Sequence, residues 1–142
     1  MRDFRKLIVW QKAHALSVDA HRALLSRRRA GTATSRNQLL RSVGSIPANI
    51  SEGCGKRSDA EFARYLDIAL GSAKETENHL LFAHDMGWLD NATFTLFDER
   101  LTEIRRMLFS LCRVMRLRGE GSTQRKAGEQ GAGGEEAGSG EH

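Results

Sequence analysis

Gly53-Cys-Gly-Lys-Arg-Ser58 is where chemistry would first be sought in this chain, because closely spaced glycines ahead of a lysine can cradle phosphate on backbone N–H groups. A phosphate loop also needs a glycine five positions before its Gly-Lys pair and a Ser or Thr directly after the lysine. Ile50 and Arg57 stand there instead, so nucleotide hydrolysis is not expected. Metal chemistry fails on spacing. His14 and His21 lie seven residues apart, about 10 Å along a helix, too far to share an ion. A di-iron bundle needs Glu-x-x-His, and Glu52, Glu61, Glu75, Glu77, Glu99 and Glu103 all lack a His three residues on. Glu75 and His79, four apart, fit a hydrogen-bonded pair on one helix face better than two ligands. Cys54 and Cys112 are single thiols without metal-type spacing, expected to be reduced. The expectation is therefore no catalytic residue, no metal and no cofactor: the chain does not read as an enzyme.

Cations are the remaining chemical lead. The chain of 142 residues carries a net charge of +4, but that figure conceals a division. From Gly119 to His142 there are eight glycines, no aromatic residue and no aliphatic larger than alanine, with five Glu against Arg125 and Lys126. That composition predicts a disordered Gly/Glu-rich tail over 119–142. Residues 1–118 form one domain by length and hold 20 Lys and Arg against 13 Asp and Glu, a net +7. A basic body favours anionic partners. The candidate nucleic-acid-binding residues are Arg27, Arg28 and Arg29 with Arg36 beside the longest link, and Lys56, Arg57 and Arg64 around the next turn. No stacking aromatics are interleaved with them, so binding would be to phosphate and shape rather than base sequence. The last helix adds Arg105, Arg106, Arg113, Arg116 and Arg118. Solvated arginines paired with Glu are the plainer reading for about half of these basic residues, and least for Arg27 to Arg29.

Four helices would have to position these groups. Val9, Ala13, Leu16, Ala20 and Ala23 beat four-three along a helix from about Arg5 to Ser26, capped by Asp3. Leu39, Val43, Ile46 and Ile50 do the same from about Ser35 to Glu52, with Pro47 inside the helix and Gly53 and Gly55 ending it. Ser58-Asp-Ala-Glu61 is a capping box ahead of Phe62, Leu66, Ala69, Ala73, Thr76, Leu80 and Ala83. Asp90 caps the last helix, whose stripe is Phe94, Phe97, Leu101, Ile104, Leu108, Leu111 and Met115. Nothing alternates with period two. The fold expected is all-α, an antiparallel up-down four-helix bundle.

One face of the second helix stands apart. Gln38, Ser42, Ser45, Asn49 and Glu52 repeat with almost the spacing of the apolar stripe, roughly 100° round from it. A solvated face is the plainer reading, but solvated faces usually carry Lys and Glu, whereas this one is mostly small and neutral. It should therefore meet a neighbouring subunit or another helix, and is a candidate subunit interface.

Ser45-Ile-Pro-Ala-Asn-Ile-x-Glu-Gly53, with Gln38-Leu-x-Arg41, Gly55-Lys-Arg-Ser58, Glu61-Phe-x-Arg-Tyr-Leu66 and Ile68-Ala-Leu-Gly-Ser72, resembles the four-helix bundle proteins encoded by intervening sequences of 23S ribosomal RNA genes. The resemblance covers roughly Phe4 to Leu117. It implies a bacterial bundle that assembles as a ring-like homopentamer. It also implies kinship with accessory variability proteins of diversity-generating retroelements, which work with a reverse transcriptase and nucleic acid. Where relatives tend to have Phe-Pro after the first helix, this chain has Arg27-Arg28-Arg29. The expected function is a non-enzymatic oligomeric adaptor binding RNA or DNA, with a bundle that meets an acidic protein partner as the alternative. Met-Arg-Asp-Phe-Arg-Lys has no apolar leader and no run reaches membrane length, so a cytoplasmic protein without a membrane partner is expected.

Overall fold

In the computed structural model, which describes residues 2–25 and 33–131, a 3-10 turn at Phe4–Lys6 precedes four helices: α1 (Ile8–Leu25), α2 (Ala33–Cys54), α3 (Asp59–Asp85) and α4 (Asn91–Gly131). There is no strand among the described residues. Each helix packs on its neighbour in sequence and α1 closes the ring against α4, with α1 and α3 diagonally opposed. This is the up-down bundle that the four stripes require.

The helix starts obey local chemistry. Ser58 Oγ accepts from the N–H of Glu61 at 3.1 Å and Asp90 Oδ1 from that of Thr93 at 2.7 Å. Asp3, expected to cap the first helix, instead accepts from the N–H of Arg5 and caps the 3-10 turn, with α1 beginning only at Ile8. Gly87 takes φ 73 where the chain turns between α3 and α4, a left-handed conformation that side chains disfavour. The helical stripes are buried as their spacing dictates. Leu16, Ile46, Ile50, Phe62, Leu66, Leu101, Ile104 and Leu108 are all sealed from solvent. Each such side chain contributes on the order of 1.5–3 kcal/mol relative to exposure.

Three local expectations need correction. α2 extends to Cys54, so Gly53 does not end it. Gly53 is a buried helical residue whose missing side chain lets α3 approach, since a Cβ there would stand 2.9 Å from the Phe62 ring. Second, Ala23 is only partly buried, and Leu24 takes the last inward position of α1. Third, α4 does not stop at Arg118 but stays helical to Gly131. Residues 119–131 therefore differ from the expected tail, although 132–142 lie outside the described residues. Gln, Arg, Lys, Ala and Glu between the glycines are good helix formers, and propagating a nucleated helix is easy. Gly119 also lies against the start of α3, its Cβ position 3.5 Å from Ala60. The change of material at Gly119 shows in packing instead: Met115 is the last buried residue.

Candidate nucleic-acid interface

The polar face of α2 is occupied within the chain. Ser45 Oγ lies 2.8 Å from Ser72 Oγ on α3, and Thr76 Oγ1 lies 3.0 Å from Ser42 Oγ. Ser42 donates to the Leu39 carbonyl, and Asn49 Nδ2 donates to the Ser45 carbonyl and hydroxyl. Small hydroxyl side chains bring α2 and α3 together and satisfy one another, as buried polar groups must. Ser42 and Ser45 are thus a contact between helices of one chain, not a free face for another subunit, while Asn49 bonds back into α2. Only Gln38 and Glu52, at its two ends, remain exposed.

The candidate cations divide by position. Arg27, Arg28 and Arg29 lie outside the described residues. Arg36 sits in the first turn of α2 and Lys56 just past its end, twenty residues on, about 30 Å at helical rise. One contact patch of modest size cannot hold both. Arg36 is half-buried, and its Nε has no hydrogen-bond partner.

Lys56, Arg57 and Arg64 stay together. Lys56 Nζ lies 5.0 Å from the centroid of the Tyr65 ring and the Arg64 guanidinium 5.5 Å from it, so one aromatic ring gathers two cations. Arg57 is exposed and lines a cleft with Lys126, Ser122 and Thr123 of α4, alongside Asp59. Asp59 is engaged by Arg2, whose guanidinium also stacks 4.4 Å over Phe62. Lys126 was hidden from sequence reading because its segment looked like tail, and only helicity past Arg118 brings it beside Arg57.

Elsewhere the cations follow the plainer reading. Arg100 pairs with Asp19 at 2.8 Å, Lys12 with Glu103 at 2.7 Å, Arg105 with Glu77, and Arg116 with Asp67. Such exposed pairs contribute on the order of 0–1 kcal/mol each. Arg57, Arg106, Arg113 and Arg118 have no ion pair among the described residues.

Other reactive groups are quiet. Burial pushes the Cys54 and Cys112 thiols above their ordinary range, which disfavours the thiolate nucleophile. His79 does meet Glu75, at 3.3 Å. His84 Nε2 lies 2.7 Å from Asn91 Oδ1 and its Nδ1 3.2 Å from Asp85 Oδ1, contacts that raise its pKa, the Asn91 bond most. No group of three His, Cys, Asp or Glu among the described residues is placed to hold a metal ion. No described helix is long and apolar enough to cross a membrane.

The architecture defines a four-helix bundle, and Lys56, Arg57, Arg64 and Lys126 lie together around its α2–α3 turn. Residues 5–110 match the family of 23S rRNA-intervening sequence proteins. The chain belongs to that family. A similar solved structure is a protein of unknown function from the S23 ribosomal protein family of Bacteroides thetaiotaomicron. It is 29% identical with a TM-score of 0.69, covering 74% of this chain and 98% of its own. No curated protein matches.

Proposed function

We propose that this protein is a non-enzymatic, homo-oligomeric accessory protein of the cytoplasm that binds RNA or DNA through phosphate contacts. The observation that carries this reading is the gathering of Lys56, Arg57, Arg64 and Lys126 around the α2–α3 turn, with the nearby Asp59 already engaged by Arg2. Cations held on an aromatic ring and across a cleft suit a phosphate backbone, and the site lacks an array of exposed rings on which bases would stack. Self-association is supported by Phe109, Val114 and Leu117 of α4, which stand largely exposed on the single chain. The family resemblance favours a pentamer and a reverse transcriptase as the enzyme partner.

Gel-shift titration of the intact protein with RNA and DNA across salt concentrations tests this. Affinity should fall steeply with salt and differ little between sequences. Replacing Arg57 and Lys126 by Ser should flatten the salt slope by about 0.9 per lost duplex contact. A flat titration at ~50 mM salt, where such contacts are strong, would sink the reading and favour an acidic protein partner. Mass measurement on the same sample decides the subunit number.

A further inference from the structure

A cavity of about 290 Å³ opens where the end of α1, the start of α2 and the end of α3 meet the α3–α4 turn. Its lining is mixed. Leu24, Leu39, Phe82 and Trp88 supply apolar surface, with the Phe82 and Trp88 rings edge to face at 5.6 Å. Arg36 and His79, each one turn before an apolar lining residue, add polar groups, and none of the lining side chains is acidic. Arg36 is unlike the arginines that other walls of the bundle neutralise. Arg2, Arg100, Arg105 and Arg116 each meet an Asp or Glu, whereas the buried Nε of Arg36 meets no acceptor. Arg36 also has no ion pair among the described residues, so its guanidinium is free to meet an anion from outside the chain.

We propose that this cavity binds a small carboxylate with an apolar body. The terminal N–H groups of a guanidinium form a fork that matches a carboxylate, and Arg36 is the cation that lines this cavity. The aromatic and aliphatic wall takes the remainder of the molecule. The volume lies at the low end of the ~300–1,000 Å³ range of small-molecule sites, enough for one ring and its acid group but not for a nucleotide. The site stands about a helix length from the α2–α3 cations, so it is independent of nucleic-acid binding.

Trp10 and Trp88 are the two tryptophans, so Trp10→Phe leaves Trp88 as a reporter inside the cavity. In that background phenylacetate should change Trp88 emission saturably and raise the melting temperature. The neutral isostere 2-phenylethanol should bind at least about tenfold more weakly, and Arg36→Gln should weaken phenylacetate by the same factor. Arg41→Gln, at an exposed position of the same helix, should leave binding intact. Should Arg36→Gln fail to fold by circular dichroism, Arg36→Lys keeps the charge without the fork and should also bind more weakly. No saturable change with phenylacetate, equal binding of the alcohol, or undiminished binding by the folded Arg36 variant would each overturn the assignment. So would displacement by inorganic phosphate at comparable concentration, since phosphate makes no use of the apolar wall.

Discussion

Gly53 and Tyr65 approach so closely that a β-carbon added to Gly53 would stand 2.8 Å from the Cβ of Tyr65. The same added atom would meet the Phe62 ring at 2.9 Å, so neither neighbour can yield without moving the first turns of α3. Gly53→Ala should therefore destabilise the bundle by about 1–3 kcal/mol through overpacking, despite the better helix propensity of alanine. Gly71→Ala, where nothing lies within 4 Å, should be neutral or stabilising. Urea unfolding of both variants decides the matter, and equal midpoints would contradict the close approach.

The hydroxyl ladder between α2 and α3 makes a different demand. Ser45→Leu with Asn49→Leu should lower monomer stability, because Ser72 loses its partner and bulk is forced between the helices. A change of subunit mass with unaltered unfolding would return this face to an intersubunit role.

Leu101→Ala and Leu108→Ala should each cost ~2–5 kcal/mol through the cavity left behind, since both side chains are sealed from solvent. Phe109→Ala on the neighbouring exposed face should leave the unfolding of the monomer nearly untouched. Similar losses at all three positions would mean that α4 is buried on more than one side.

The length of α4 separates two readouts. Truncation after Arg118 should leave the melting temperature nearly unchanged, because the last buried residue is Met115. The same truncation should lower the helical circular dichroism signal of the described residues, since 119–131 are helical. An unchanged signal per molecule would show that this segment is not helical in solution.

His84 bridges the α3–α4 turn, and its pKa is raised above 6.5, first by the Asn91 hydrogen bond and then by Asp85. A raised folded-state pKa means that the proton is bound more tightly in the folded protein. Its stabilisation is then fully present below about pH 6.5 and is lost as pH rises through the folded value. An NMR titration should place the His84 midpoint above that of an unfolded peptide, and Asn91→Ala should bring it down. A midpoint unmoved by that substitution would remove Asn91 as the cause.

Much of the bundle was legible because each stripe carries its own proof. Phe62 to Ala83 and Phe97, Leu101, Ile104, Leu108 and Met115 fall inward as a four-three beat dictates, with Cys112 buried in place of Leu111. Ser58 and Asp90 cap where their short side chains imply. Periodicity states which residues share a face but not which neighbour that face meets. Hence Ser42 and Ser45 were readable as a contact surface, while their partners Ser72 and Thr76 were not. Composition averaged over 119–142 hid the helical run through Lys126, and with it half of the Arg57 cleft.

Arg2 gives the bundle a closing order. Its side chain meets Asp59, 57 residues on, and Met115, 113 residues on, at 3.6 Å from the sulfur. During synthesis Arg2 precedes both partners and must wait for them, since neither exists until α3 and then α4 has been translated. Neighbouring helices can meet as soon as each pair is complete, because their contacts are close along the chain. The clasp that ties Arg2 to both later helices can shut only after them, so the residue made first of these three is the last to find its place.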